Sequence, residues 1–171
     1  MPQPWIRTFF LLAFFAWVTL GTVNVYWANL NQDEGWYLYA ALSCSDGLLP
    51  YRDFAFTQGP VMPFFYALAG PWLEHAGVEA GRWFTLILAG CILFFTARLA
   101  SKSAGSGPGC AEAGLLALIL LAVNVYQSQF TTIVKTYSLC GLLLVSGLLA
   151  ANRAAGGHRP WVGLLGGILL G

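Results

Sequence analysis

Residues 8–28 read TFFLLAFFAWVTLGTVNVYWA and contain no charged side chain over 21 positions. A run of about 20 apolar residues is long enough to cross the hydrocarbon core of a bilayer as a helix. Arg7 precedes the run, so a cleaved signal peptide is the alternative. The run is long for a signal peptide, and the pair Tyr26 and Trp27 suits the aromatic belt at a membrane surface. We therefore predict a membrane-spanning anchor.

The composition of the whole chain agrees with this prediction. Hydrophobic residues make up 58% of the sequence and charged residues only 9%, whereas about a quarter of a soluble domain is charged. The net charge is +1 and the basic residues form no cluster, so we expect no nucleic-acid partner. The four cysteines have no CxxC spacing, which argues against a zinc site or a disulfide framework. The fold class predicted is an all-α polytopic membrane protein.

Four or five transmembrane helices are expected in one domain, residues 1–171. After residues 8–28, the spans fall at about 83–100, 113–130, 136–151 and 160–171. The last run is too short to cross a bilayer, so we expect the chain to be the amino-terminal part of a longer protein. Residues 29–81 form a long first outer loop, whose aromatic and half-polar segments predict interfacial amphipathic helices.

The distribution of Lys and Arg predicts that the amino terminus is cytoplasmic. With this orientation, the basic residues on the inner side are Arg7, Arg98, Lys102, Arg153 and Arg159, and those on the outer side are Arg52, Arg82 and Lys135. Of the acids, only Glu112 lies on the inner side. The outer loop therefore carries most of the polar chemistry.

Two adjacent carboxylates, Asp33 and Glu34, stand where the first span leaves the membrane. Carboxylates at the membrane margin are candidates for function. One interpretation is structural, with Asp33 as a helix N-cap and Glu34 favoured by the helix dipole. The other is chemical, with a carboxylate as general base or as the anchor of an acceptor hydroxyl or amine. Both interpretations remain open at this point.

Three outer cations, Arg52, Arg82 and Lys135, are candidates to bind a phosphate at the membrane surface. The alternatives are a carboxylate partner for the arginines and contact with lipid headgroups for Lys135. His75 is a single histidine and does not make a metal site, which needs several ligands. No metal is indicated, although a divalent ion is compatible with phosphate chemistry.

Three linked segments resemble a known family pattern. They are DEGWYLYAA at residues 33–41, GLLPYRDF at residues 47–54 and QGPVMPFFY at residues 58–66. Together they resemble the first outer loop of GT-C membrane glycosyltransferases, in particular the bacterial protein-mannosyltransferase and aminoarabinose-transferase type. The resemblance extends over residues 32–98, about 40% of the chain.

The resemblance implies an enzyme of the bacterial inner membrane that moves a sugar from a polyprenyl-phosphate donor to an acceptor protein, glycolipid or polysaccharide. Asp33 matches the active-site aspartate and Glu34 its acidic neighbour. The cations above would meet the donor phosphate, and the supporting loop residues would be Tyr37, Tyr51, Asp53 and Gln58. No cofactor beyond this donor is implied, and we expect this part of the chain to be inactive alone.

The sequence departs from the family pattern at one place, and two alternative functions remain. Many relatives carry a further acid after the third span, but residues 131–137 read TTIVKTY without one. A lipid-linked oligosaccharide ligase or polymerase would share the donor class. A non-enzymatic transport or assembly subunit is the other rival, although the spans lack the mid-membrane polar groups that transporters use.

Overall fold

The computed structural model describes residues 4–107, 109–157 and 160–170, with the side chain of Pro160 left aside. Over these residues the chain is helical, and its one β feature is an isolated bridge between Pro50 and Phe54. The helices are α1 Pro4–Trp27, α2 Gln32–Ser45, α3 Val61–Ala67, α4 Gly70–Ser103, α5 Cys110–Ala122, α6 Val125–Phe130, α7 Thr136–Ala155 and α8 Pro160–Leu170.

Three of these helices, α1, α4 and α7, are long and apolar enough to cross a membrane. Helices α1 and α4 run antiparallel, since Gly21 faces Leu86 and Gly90 faces the Trp17 ring. Helix α5 runs antiparallel to α4. Helix α7 also packs on α4 and runs parallel to it, with Gly141 against Ile92. The C-terminal end of α1 and the N-terminal parts of α4 and α7 therefore lie together at one end of the bundle, next to α2.

The core consists of two hydrophobic clusters, one for each part of the bundle. One joins α1, α4 and α5 around Trp17 and Leu118. The other joins α2, α3, α4 and α7 around Tyr37, Tyr66 and Val134. Tyr66 is completely buried and its hydroxyl lies 2.8 Å from the Thr85 hydroxyl, which satisfies both polar groups. The segment between α1 and α4 is thus built into the core.

Helix α2 is more deeply packed than a helix lying on a lipid surface. Seven of its 14 residues are buried, among them Tyr37, Leu38, Ala41 and Cys44, which recur at helical spacing on one face. This face packs against α3 and α4. Tyr39 points away from the protein and is 57% exposed. The face of α2 that carries Tyr39 is therefore the one outside the core.

The structure corrects two predicted boundaries. Residues 113–130 are not one helix, because α5 ends at Ala122 and Asn124 starts α6, with its side chain accepting a hydrogen bond from the Gln127 amide. The helix predicted from residue 83 begins at Gly70 and bends at Gly77. The φ of Gly77 is 54°, a value that glycine adopts more readily than other residues. Residues 70–81 of the predicted outer loop are therefore largely helical.

The close packing of α4 and α5 can be tested by mutation. A Cβ on Gly114 would contact the Ser101 side chain and lie 2.9 Å from the Ala97 carbonyl oxygen. We expect Gly114→Ala to lower the free energy of unfolding by about 1–3 kcal/mol, despite the better helix propensity of alanine. Gly35→Ala is the control, since nothing lies near Gly35 in α2, and it is expected to raise the thermal midpoint slightly. Equal midpoints for both variants would contradict this packing.

Candidate functional site

The start of α2 is fixed by a capping box. The Asn31 side chain accepts a hydrogen bond from the Asp33 amide at 3.0 Å, and the Glu34 carboxylate accepts one from the Asn31 amide at 2.9 Å. This reciprocal pair satisfies backbone donors that a helix start would leave free. The N-cap is therefore Asn31 and not Asp33, which corrects the structural alternative considered from sequence. The signal was present in the spacing Asn-x-x-Glu.

Glu34 is completely buried and forms a two-point ion pair with Arg82 of α4. The Arg82 Nε donates to Glu34 Oε1 at 2.9 Å, and Nη2 donates to Oε2 at 2.8 Å. The Arg82 side chain is 5% exposed. Parallel hydrogen bonds between a guanidinium and a carboxylate are among the stronger polar contacts in proteins. The pair joins residues 48 positions apart and fixes α2 on α4.

The remaining N–H groups of Arg82 hold the end of α1. Nη1 donates to the carbonyl oxygens of Val25 at 3.0 Å and Ala28 at 3.2 Å, and Nη2 donates to that of Asn29 at 3.1 Å. These carbonyls belong to the last turn of α1 and the residues after it, where a helix has no partners of its own. A positive charge there also offsets the helix dipole. One arginine thus joins α1, α2 and α4.

The carboxylate of Glu34 reaches a fourth element as well. Its Oε1 accepts a hydrogen bond from the Val134 amide at 3.1 Å, just before α7. Burial by itself raises the pKa of this carboxyl, but the hydrogen bonds from Arg82, Asn31 and Val134 outweigh it and hold the pKa below its ordinary value. Glu34 is therefore an ionised structural centre of the site.

These contacts revise two predicted roles. Sequence analysis placed Glu34 with the catalytic acids and Arg82 with the phosphate-binding cations. Both side chains are buried, and the N–H groups of the guanidinium already point at Glu34 and at the α1 carbonyls. Neither group is free to meet a substrate. Both hold the start of α2, whose first turn also carries Asp33.

Asp33 lies on the outside of this junction. Its side chain is 45% exposed, and one carboxylate oxygen lies 2.7 Å from the Lys135 Nζ. The Lys135 side chain is 14% exposed, and its Nζ lies 5.7 Å from the centre of the Tyr137 ring. The hydrogen bond to Asp33 is the main cause of a raised Lys135 pKa, so the ammonium is charged at neutral pH. The structure thus brings one predicted acid and one predicted cation together.

An apolar cavity of about 350 Å³ lies between α3 and α7, and one of its lining residues, Thr136, directly follows Lys135 in the sequence. Thr136 and Leu139 line it on the α7 side, and Met62 lies on the α3 side. Gln58, predicted to support the site, lies at its edge. Apolar walls of this kind suit the hydrocarbon part of a ligand.

The other predicted loop residues form a unit of their own. Arg52 and Asp53 pair at 2.7 Å, and the Asp53 carboxylate also accepts a hydrogen bond from the Leu49 amide at 2.8 Å. The bonds with Arg52 hold the pKa of Asp53 below its ordinary value. Tyr51 adopts a φ of 69°, and its hydroxyl donates to the Gln58 carbonyl. Among the described residues, no hydrogen bond or ion pair links Arg52 to Asp33, and the phosphate-binding role of Arg52 stays a prediction.

The buried residue Tyr37 supports the site from below. It is 3% exposed and packs against Trp36 and Phe56, whose rings stack at 4.6 Å. Aromatic packing of this kind holds the inner face of α2 against the loop residue Phe56. Within the described ranges, no group of three or more His, Cys, Asp or Glu side chains could hold a metal ion.

Comparisons of the chain with protein-family models, with curated proteins and with solved structures found no match.

The lowered pKa of Glu34 predicts a pH dependence of stability. The carboxyl titrates at 4.5 when unperturbed, so its ion pair contributes fully above that pH and is lost as the pH falls through the lower folded-state pKa. We expect the thermal midpoint to fall on acidification below about pH 4.5. The thermal midpoint of Glu34→Gln is expected to depend less on pH over the same range. A pH dependence equal to that of the wild type would contradict the assignment.

Proposed function

We propose that this protein belongs to an enzyme that transfers a sugar from a polyprenyl-phosphate donor to an acceptor at the extracytoplasmic face of the membrane. The observation that carries the proposal is the half-exposed Asp33 carboxylate 2.7 Å from the Lys135 ammonium, whose neighbour in sequence, Thr136, lines an apolar cavity. The resemblance of residues 32–98 to GT-C glycosyltransferases supports the same reaction class.

The chemistry of the transfer needs a base and a cation. Asp33 accepts the proton of the acceptor hydroxyl or amine, whose oxygen or nitrogen attacks the anomeric carbon of the sugar. The bond between that carbon and the phosphate oxygen breaks, and the polyprenyl phosphate leaves with the electron pair. Lys135 offsets the negative charge that develops on the departing phosphate. With one carboxylate in this position, a single displacement with inversion is the expected stereochemistry.

The ion pair itself explains how donor binding prepares the base. In the unliganded site the Lys135 ammonium pairs with Asp33. The phosphodiester of the donor carries one negative charge, as a carboxylate does, and can replace Asp33 as the partner of that ammonium. Donor binding at Lys135 then leaves the Asp33 carboxylate free to meet the acceptor.

The position of the site also fits a lipid-borne donor. The apolar cavity beside Thr136 and Leu139 offers a place for the first prenyl units, while the phosphate reaches Lys135. Holding both ends of the donor converts a diffusional encounter into an oriented one. The buried Glu34–Arg82 pair keeps Asp33 at this position by fixing the start of α2.

Sugar transfer in liposomes is the experiment that tests the proposal. The purified full-length protein, reconstituted with a radiolabelled polyprenyl-phosphate sugar in the bilayer, is expected to release polyprenyl phosphate in the presence of a hydroxyl- or amine-bearing acceptor. Binding of the donor with no release, over a panel of acceptors, would favour a transport or assembly subunit.

The role of Lys135 leads to a separate prediction. Lys135→Met removes the ammonium but keeps most of the alkyl stem, so donor binding and leaving-group stabilisation both suffer. We expect kcat/KM for the donor to fall by roughly 10²–10³-fold, the range for loss of one preorganised electrostatic contact. Lys102→Met, an exposed cation at the far end of α4, is the control. Equal kinetics in the two variants would remove Lys135 from the site.

A further inference from the structure

Another cavity, with polar side chains in its lining, lies between α4 and α7 at the end of the bundle away from Asp33. Its volume is about 450 Å³. Arg98 of α4 and Arg153 of α7 line it together with the Ser146 hydroxyl. Its other walls are apolar and come from Phe94, Phe95, Leu149 and Ala150. Arg98 follows Arg82 by 16 residues on α4, which is about 24 Å along a helix and close to the thickness of a bilayer core.

The two guanidinium groups have no anionic partner within the part of the chain that the structure describes. The ion pairs found there use Arg52, Arg82 and Lys135. Glu112 is the acid nearest in sequence to this end of the bundle, but it belongs to α5 and does not line the cavity. Two positive charges on one cavity, without a carboxylate in its lining, favour an anion as occupant.

The walls of the cavity decide which anion fits. Aromatic and aliphatic side chains continue from the arginines towards the middle of α4 and α7, and Phe94 is 51% exposed. A free inorganic anion would leave these apolar walls unused. A phospholipid fills both parts, with its phosphate at the arginines and its acyl chain along Phe94 and Leu149. Basic pockets between transmembrane helices on the cytoplasmic side are known places for anionic headgroups.

We infer that the cavity between α4 and α7 is a binding site for an anionic phospholipid of the membrane leaflet opposite to the Asp33 site. Arg98 and Arg153 bind the phosphate, Ser146 donates a hydrogen bond to it, and the aromatic wall carries the acyl chain. Since the lipid contacts both helices, it holds α7 against α4. The inference is independent of the proposed transferase activity.

Native mass spectrometry of the protein extracted in an equimolar mixture of phosphatidylglycerol and phosphatidylcholine tests the site. The wild-type protein is expected to retain phosphatidylglycerol preferentially. In the double variant Arg98→Gln/Arg153→Gln, this preference is expected to fall about tenfold, since two charge-assisted contacts are lost. Ser146→Leu keeps both arginines and fills the cavity, and it is expected to lower retention of phosphatidylglycerol as well. Lys102→Gln removes a charge at the same end of α4 outside the cavity lining and is the matched control.

Three results would overturn the inference. The first is an unchanged preference in the double variant. The second is an equal loss in Lys102→Gln, which would indicate general attraction to a basic surface. The third is full displacement of the lipid by millimolar inorganic phosphate, which would show that the anion alone is recognised. The Ser146→Leu variant keeps the test valid if the double variant fails to fold.

Discussion

Glu34→Ala is expected to lower the free energy of unfolding by about 3–5 kcal/mol, because it leaves the Arg82 guanidinium buried without its counter-ion. The side chain of Arg82 is only 5% exposed, so water cannot replace the lost carboxylate. The substitution also removes the acceptor for the Val134 amide and half of the capping box. Thermal unfolding in detergent, followed by circular dichroism at constant lipid content, measures the loss.

Two further variants show whether the effect arises from the buried pair. Arg82→Met is expected to be at least as damaging, since it strands the Glu34 carboxylate and frees the carbonyls at the end of α1. The double variant Glu34→Leu/Arg82→Met should be less damaged than the sum of the two single changes, because neither charge remains unpaired. Arg52→Ala breaks an exposed pair and is expected to leave the midpoint almost unchanged. A midpoint for Glu34→Ala as high as that for Arg52→Ala would contradict the buried junction.

Asp33→Asn is expected to reduce kcat for sugar transfer by about 10²–10⁴-fold, the usual contribution of a general base. The amide keeps the size of the side chain and can still accept a hydrogen bond from Lys135, but it cannot take a proton. Stability should change little, because the Asp33 side chain is half-exposed and Asn31 provides the helix cap. Initial rates at saturating donor and acceptor measure this effect.

The control for Asp33→Asn is another acid on the same side of the protein. Glu79→Gln changes an exposed carboxylate of α4 and is expected to transfer sugar at the wild-type rate. A rate for Asp33→Asn within twofold of Glu79→Gln would mean that the base lies elsewhere. A similar loss in both variants would indicate a general effect of surface charge on the lipid substrate.

Much of the fold follows from local patterns in the sequence. The uncharged run of residues 8–28 becomes α1, and residues 136–151 fall within α7. The spacing Asn31-x-x-Glu34 contains the signal of the α2 start, and Asn124-x-x-Gln127 that of α6, where hydropathy alone predicted a continuous span. Hydropathy averages over a window, whereas a cap depends on one side chain, so the break was missed.

The site was harder to predict because its key contacts join distant parts of the chain. Glu34 meets Arg82 and Val134 only after α2, α4 and α7 have packed together. Two adjacent acids look equivalent in sequence, yet successive helical positions point about 100° apart. One therefore faces the core and the other the surface. That geometry makes Glu34 a buried partner of Arg82 and leaves Asp33 exposed to solvent, a difference that charge and spacing alone leave open.

The central claim is that Asp33 carries the chemistry while Glu34 and Arg82 hold it in place. The most direct measurement is the rate of sugar release from a polyprenyl-phosphate donor by Asp33→Asn, on protein whose thermal midpoint is recorded in the same preparation. We predict a wild-type midpoint with a rate at least 100-fold lower. Wild-type turnover by Asp33→Asn, at any midpoint, would contradict the account.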